Sequence, residues 1–190
     1  KREFMNEEDS NFGCELSQII FITGGTKSGK SEFAEHLARK IKKLSYVALS
    51  KNNPKDKEWQ EKINLHRKRR PKDWIIIETT DLLKTLRKED GPLLIDSIGG
   101  FIMENIGREQ REWVKNMNSL IGLLKKREKT TLIVGEQVGW SLVSEYKVGN
   151  TYIERIGELQ KRITKISQDN WLAINGRAIK IDEISIEIPT

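Results

Sequence analysis

The chain has 190 residues, of which 36% are hydrophobic and 33% are charged, and its formal net charge is +6. This length and composition predict one globular domain, and no apolar run approaches the roughly 20 residues of a membrane span. A single cysteine, Cys14, excludes an internal disulfide and suits a reducing, cytoplasmic location. The positive charge suits an anionic ligand such as a nucleotide, and equally a weak nucleic-acid binder.

Apolar, β-prone runs alternate with helical stretches behind a polar segment, residues 1–18, that we expect to be a flexible tail. The predicted strands cover residues 19–23, 45–49, 74–78, 92–96, 131–135, 170–174 and 178–181. The predicted helices cover residues 32–43, 57–69, 81–88, 110–127 and 151–167. This alternation predicts an α/β fold over residues 19–190, a mostly parallel sheet flanked by helices.

Three local patterns refine this expectation. The runs 75–77, 93–95 and 132–134 are continuously apolar, as expected for strands covered on both faces. Trp113 shares a helical stripe with Met117 and Leu120, which favours a core position over a ligand platform. Asn175-Gly176 is the favoured two-residue turn, so we expect the sheet to end in a C-terminal antiparallel hairpin.

A glycine-rich loop connects the first predicted strand to the first predicted helix. It reads Gly24-Gly25-Thr26-Lys27-Ser28-Gly29-Lys30-Ser31, a complete G-x-x-x-x-G-K-S pattern. In this context the loop N–H groups and Lys30 can surround the β- and γ-phosphates of a nucleotide, while Ser31 can ligate Mg²⁺. The alternative is a Gly-rich turn before an ordinary helix, and the flanking strand and helix favour the phosphate loop. The sequence therefore predicts a nucleoside triphosphate site.

Ligands of such sheets bind beyond the carboxyl ends of the strands, which makes Ser50, Asp96 and the pair Glu136-Gln137 candidates. Asp96 can hold Mg²⁺ beside the phosphate loop, directly or through water. The alternative is a strand-end carboxylate that caps a neighbouring turn.

A histidine heads a dense cationic run that Pro71 ends. The run is His66, Arg67, Lys68, Arg69 and Arg70. Three interpretations stay open: a solvated helix end, a nucleic-acid patch without interleaved aromatic residues, or a reactive site. In a reactive site the cations would favour the neutral, nucleophilic imidazole and hold nucleotide phosphates and departing pyrophosphate.

Together these segments resemble the adenosylcobinamide kinase/adenosylcobinamide-phosphate guanylyltransferase family, bifunctional enzymes of cobalamin biosynthesis. The most particular part is His66-Arg67 followed by Arg70-Pro71 and Trp74. The resemblance continues through residues 46–48 and 94–97, Asn105, residues 138–140, Gly157 and the terminal hairpin. It implies a P-loop NTPase-like fold and covers nearly the whole chain.

The resemblance implies that His66 attacks the α-phosphate of GTP, expels pyrophosphate and holds GMP as a phosphoramidate. It also implies that the phosphate loop, with Lys30 and with Mg²⁺ on Ser31 and Asp96, phosphorylates adenosylcobinamide from ATP or GTP. The further nucleotide-binding residues that it implies are Ala48, Leu49, Ser50, Arg67, Lys68, Arg69, Arg70 and Glu78. A homo-oligomer, a trimer in the family, is implied, with no nucleic-acid partner.

The chain departs from the family pattern mainly in residues 135–163. Leu49 replaces a threonine, Glu136-Gln137 replaces Asn-Glu, and Ser144 replaces a proline. Two alternatives to the bifunctional enzyme stay open. One is a monofunctional P-loop small-molecule kinase that lacks the guanylyl-transfer step, and the other is a nucleotide-dependent nucleic-acid-binding protein.

Overall fold

The structure, a computed structural model, describes residues 18–49, 70–140 and 145–189. Strands of these ranges form a seven-stranded sheet in the order β3-β2-β4-β5-β1-β6-β7. They are β1 (Ile19–Gly24), β2 (Ser45–Leu49), β3 (Ile75–Thr79), β4 (Leu93–Asp96), β5 (Thr131–Glu136), β6 (Asp169–Ile174) and β7 (Arg177–Lys180). The α-helices of these ranges are α1 (Lys30–Ala38), α2 (Leu82–Lys88), α3 (Gly99–Asn105), α4 (Gln110–Lys125) and α5 (Lys147–Thr164). Within them, no helix combines the length and the apolar character needed to cross a membrane.

The pairing of the strands confirms the predicted fold class. β1 pairs with β5 and β6, β2 pairs with β3 and β4, and β4 pairs with β5, all in parallel. β6 and β7 are antiparallel, which confirms the C-terminal hairpin. Both turn residues have positive φ, 49° at Asn175 and 73° at Gly176, the left-handed conformation that a type I′ turn requires.

Alternate residues of the central strands enter two separate hydrophobic clusters. Phe21 and Ile133 pack in the cluster that contains the apolar stripes of α4 and α5, whereas Ile22 and Leu94 pack with α1. Successive strand side chains point to opposite faces, so a strand covered on both faces needs an apolar residue at every position. Trp113 is 0% exposed and lies in the first cluster, which confirms its predicted core position.

The same prediction is wrong for residues 75–77, because β3 lies at the edge of the sheet among the described strands. Ile75 is 56% exposed and Ile76 is 38% exposed. An apolar run indicates which residues are suited to burial, but the order of the strands in the sheet decides which of these residues are buried.

The helices depart from the prediction most clearly at α1 and α3, and α5 also begins at Lys147 and ends at Thr164 rather than covering residues 151–167. α1 ends at Ala38 rather than at residue 43, and Lys43 adopts a positive φ of 54°, which no helix can contain. α3 was not predicted, because it begins with two glycines directly after a strand. Of the tail expected over residues 1–18, residues 1–17 lie outside the described residues, as does the helix expected over residues 57–69.

The buried Arg155 of α5 holds the end of α3. Its Nη1 donates to the carbonyl oxygens of Asn105 and Ile106, and its Nη2 donates to that of Arg108 at 2.6 Å. These carbonyls lie at and just beyond the C-terminus of α3, where the hydrogen bonds of the helix interior end and where a cation is favourable. α3 is thereby fixed against α5 although the sequence of α3 carries little helical signal.

Close packing at the start of α3 gives a testable prediction. A Cβ on Gly100 would lie 2.2 Å from the carbonyl oxygen of Leu49, and this oxygen is backbone that cannot move aside cheaply. We therefore expect Gly100→Ala to lower the free energy of unfolding by about 1–3 kcal/mol, measured by urea denaturation. Gly122→Ala in α4 is the matched control, because a Cβ at that position would have no neighbouring atom within 4 Å. The control should gain up to about 1 kcal/mol, and equal effects of the two changes would contradict the packing argument.

Candidate nucleotide site

The phosphate loop lies where β1 ends and α1 begins. A Cβ on Gly24 would lie 2.4 Å from the carbonyl oxygen of Ala173, so the neighbouring strand leaves room for glycine alone. Positive φ values of 56° at Lys27 and 95° at Gly29 turn the chain into the first turn of α1. The Lys30 ammonium donates across the loop to the carbonyl oxygen of Gly25 at 3.2 Å. The loop thus presents a helix N-terminus and a lysine to the same space, as anion binding requires.

The C-terminal hairpin supports this loop from the side. The N–H of Gly176 donates to the carbonyl oxygen of Ser28 at 3.0 Å. The sequence predicted the hairpin as the end of the sheet, but nothing in the sequence indicated that its turn would contact the phosphate loop. The contact joins two segments that are almost 150 positions apart in the chain, so it depends on β6 pairing with β1.

Asp96, at the end of β4, receives two hydrogen bonds from other elements. Ser31 Oγ donates to Oδ1 at 3.3 Å, and the Tyr46 hydroxyl donates to Oδ2 at 2.6 Å. Burial, followed by the nearby Asp96 carboxylate, raises the pKa of Tyr46 far above its ordinary value, so the hydroxyl keeps its proton. These contacts favour the predicted metal-side role of Asp96 over a turn cap.

The residues of this site fit Mg²⁺ bound together with a nucleotide. Ser31 and Asp96 offer a hydroxyl and a carboxylate, the hard oxygen ligands that Mg²⁺ prefers. No group of three or more His, Cys, Asp or Glu side chains in the described ranges could hold a metal by itself. Mg²⁺ often binds through one or two protein ligands, substrate phosphates and water, so this small donor set is sufficient.

Glu136 ends β5 directly opposite Gly24 in the register with β1. Ser97 Oγ donates to its Oε1, whereas its Oε2 is buried and has no hydrogen-bond partner. Burial raises the pKa of Glu136, and the Ser97 hydroxyl and the charge of Lys30 partly oppose this. A carboxylate beside a phosphate-loop lysine at the carboxyl edge of the sheet is therefore available for chemistry.

The raised pKa of Glu136 makes a prediction about stability. The unfolded chain loses this proton at the ordinary carboxyl value and the folded protein loses it at a higher pH, so stability falls as the pH rises between the two values. Glu136→Gln cannot lose a proton and can still accept from Ser97. As the pH is raised from about 4.5, the Tm of the variant should therefore rise relative to that of the wild type. Each kcal/mol of difference in the free energy of unfolding should shift the Tm by about 2–4 °C. A thermal melt series with exposed Glu128→Gln as control measures this, and a difference that shrinks with rising pH would contradict it.

Gln137 is directed away from the space above the loop. Its Nε2 donates to Gln160 Oε1 at 3.0 Å, while Gln160 Nε2 donates to the carbonyl oxygen of Glu136 at 2.7 Å. The structure therefore separates the two candidates that follow β5: Glu136 lies at the site, and Gln137 joins β5 to α5.

Arg70 is the member of the cationic run that the structure describes. Its Nε donates to Glu35 Oε1 at 3.2 Å in an ion pair whose side chains are 8% and 10% exposed. The Arg70 guanidinium also lies 3.4 Å from the centroid of the Tyr46 ring. Arg70 therefore contacts α1 through Glu35 and β2 through Tyr46, and the Tyr46 side chain lies between Arg70 and Asp96. Sequence analysis assigned no site role to Tyr46 or Glu35, since nothing local distinguishes a core tyrosine from one that donates a hydrogen bond to a carboxylate.

The other predicted site residues are placed as follows. Ala48 lies opposite both Glu78 and Asp96 across β3, β2 and β4, so these three stand in one row at the carboxyl edge. Leu49 ends β2 and is 8% exposed. Thr26 and Lys27 are exposed at the tip of the loop. His66, Arg67, Lys68, Arg69 and Ser50 lie outside the described residues.

A phosphate loop at the end of β1, an acid at the end of β4 and a mostly parallel sheet define a P-loop NTPase-like nucleotide-binding protein. Solved structures support this fold. A prototypical ATPase from the type III secretion system of pathogenic bacteria is 13% identical with a TM-score of 0.50, over 84% of this chain and 51% of that chain. A protein from Pyrococcus horikoshii OT3 is 8% identical with a TM-score of 0.52, over 93% of each chain.

Sequence comparison identifies the family. Residues 20–181 match the cobinamide kinase / cobinamide phosphate guanyltransferase family, and the chain belongs to this family, whose members are transferases of cobalamin biosynthesis. The bifunctional adenosylcobalamin biosynthesis protein CobU of Escherichia coli K12 is 24% identical over 86% of this chain and 99% of its own length. The protein of the same name from Salmonella typhimurium LT2 is 25% identical over the same shares.

Proposed function

We propose that the chain phosphorylates adenosylcobinamide with a nucleoside triphosphate and then transfers GMP from GTP to the phosphorylated product through a guanylylated His66. The observation that carries this proposal is the convergence of the phosphate loop, Ser31 and Asp96 in a chain of this family. We also infer that Mg²⁺ is the cofactor and that the protein is a homo-oligomer.

In the kinase step, the loop N–H groups and Lys30 hold the β- and γ-phosphates of the donor. Ser31 and Asp96 would hold Mg²⁺, which neutralises charge that develops on the phosphates. Glu136 is the residue we place on the acceptor side, because it ends β5 opposite Gly24, its buried Oε2 has no hydrogen-bond partner, and the charge of Lys30 acts on its carboxylate. There the carboxylate orients the acceptor hydroxyl and takes its proton while the oxygen attacks the γ-phosphorus. The bond between the γ-phosphorus and the β,γ-bridging oxygen breaks, and the nucleoside diphosphate leaves.

In the guanylyl step, a neutral His66 nitrogen attacks the α-phosphorus of GTP, and the bond to the bridging oxygen of pyrophosphate breaks. A phosphate oxygen of the kinase product then attacks the same phosphorus and releases the histidine. The cations Arg67, Lys68 and Arg69 stabilise the departing pyrophosphate. The covalent intermediate divides one difficult exchange into two displacements.

Labelling with radioactive GTP tests this proposal. Protein incubated with [α-³²P]GTP and Mg²⁺ should retain label in a bond that is labile to acid and stable to base, as a phosphoramidate is. [γ-³²P]GTP is the matched control and should leave no such label, because the γ-phosphate departs with pyrophosphate. Phosphorylation of adenosylcobinamide without α-label would contradict the guanylyl step and indicate a monofunctional kinase. Absence of both activities, with binding of nucleic acid, would contradict the proposal as a whole.

A further inference from the structure

We propose that Tyr46 is a positioning residue that orients the Asp96 carboxylate for Mg²⁺ binding with the nucleotide. This inference rests on the proposed function for the identity of the metal and the nucleotide. It goes beyond that function because neither the phosphate-loop pattern nor the family description assigns a role to this tyrosine.

The hydrogen bonds of Asp96 show how the orientation is set. One carboxylate oxygen accepts a hydrogen bond from Ser31 Oγ at 3.3 Å, and the other accepts a hydrogen bond from the Tyr46 hydroxyl at 2.6 Å. Both bonds run from a hydroxyl to the same carboxylate, and the much shorter bond from Tyr46 is the stronger of the two. A carboxylate held at one oxygen cannot rotate freely, and its other oxygen stays directed at Ser31.

The ring of Tyr46 is itself held in place. The residue is 3% exposed, and it packs in the cluster that contains Ile22 and Leu94. The Arg70 guanidinium lies 3.4 Å from the ring centroid, and Trp74 stacks on the ring with centroids 6.5 Å apart. Arg70 is in turn fixed by its buried ion pair with Glu35 of α1.

This arrangement joins the metal side of the site to the end of the cationic run. Glu35, Arg70, Tyr46 and Asp96 form a continuous series of contacts from α1 through β2 to the end of β4. If Tyr46 served only for packing, a phenylalanine ring would fill nearly the same volume, and the hydroxyl would not be needed. The bond to Asp96 is therefore the feature that a test must remove while the ring is kept.

Tyr46→Phe removes the hydroxyl and keeps the ring against Arg70 and Trp74. The probe is a fluorescent ATP analogue with a methylanthraniloyl group, titrated with and without MgCl₂, so no turnover is needed. We expect binding without Mg²⁺ to change less than about twofold, and the Mg²⁺ concentration that half-maximally enhances binding to rise about tenfold. Tyr146→Phe is the matched control, because it makes the same change at a tyrosine that is 77% exposed, and it should leave both values unchanged.

A double-mutant cycle separates positioning from a general structural effect. In an Asp96→Asn background, Tyr46→Phe should change the Mg²⁺ dependence less than about twofold, because the carboxylate that it orients is gone. An unchanged Mg²⁺ dependence in the single variant, or a full tenfold effect in both backgrounds, would overturn the inference.

Arg70→Lys decides the question if Tyr46→Phe does not fold. Lysine keeps the charge but not the planar group that lies on the ring, so we expect a smaller rise in the same direction, about threefold. An unchanged Mg²⁺ dependence there would overturn the inference. A wild-type protein that binds no nucleotide would contradict the proposed function itself. If the wild type binds the nucleotide normally and the variants have the same Mg²⁺ dependence, only the role of Tyr46 is contradicted.

Discussion

Lys30→Ala should lower both adenosylcobinamide phosphorylation and protein guanylylation by at least about 100- to 1,000-fold while the fold stays intact. Both reactions break a bond of a nucleoside triphosphate whose phosphates the same loop holds, so one lost cation affects both. We expect a rate loss of this size because the substitution removes a preorganised hydrogen-bond donor. That donor stabilises phosphate oxygens whose negative charge increases in the transition state. The fold should survive because Lys30 bonds to Gly25 in a partly exposed loop and lies outside both hydrophobic clusters.

Parallel rate assays with each ³²P-labelled donor, together with circular dichroism, measure this effect. Lys42→Ala is the matched control, because Lys42 is an exposed lysine in the turn after α1. It removes the same charge at the opposite end of α1, where the chain enters β2, and should keep both activities within about twofold. A Lys30→Ala protein with native circular dichroism and near-normal turnover would remove the phosphate loop from the mechanism.

His66→Ala should lose protein-bound GMP entirely and keep much of the kinase activity. Transfer of a γ-phosphoryl group needs the loop and the metal, whereas a covalent guanylyl intermediate needs a nucleophile. The two activities should therefore separate in this variant, and no packing defect would produce that separation.

His36→Ala is the control for this prediction, since the chain has two histidines and His36 is exposed on α1. It should label with [α-³²P]GTP as the wild type does. Peptide mapping of the labelled wild type should place GMP on the peptide that contains residue 66. Covalent GMP on the His66→Ala protein would place the nucleophile elsewhere, and Lys68 would become the candidate.

Local sequence patterns were sufficient to predict the strands, the phosphate loop and the terminal turn. Each of these depends on residues that are close in the chain. The turn needs two residues that tolerate positive φ, and Asn175-Gly176 provides them. The loop needs glycine at its bends and a Lys-Ser pair at the start of α1. The apolar runs of β4 and β5 were equally clear, because strands covered on both faces allow no polar alternation.

Tertiary structure alone decided which side chains meet at the site. The order of the strands puts β3 at the edge and leaves Ile75 exposed, although its run resembles that of β4. The strand order also lets Gln137 hydrogen-bond to Gln160, whereas Glu136 lies where the charge of Lys30 acts on it. It also brings Arg70 to Glu35 and Tyr46 to Asp96, pairs that lie 35 and 50 positions apart in the chain. Such contacts are set by which strands become neighbours, and that order results from packing the whole sheet rather than from any local pattern.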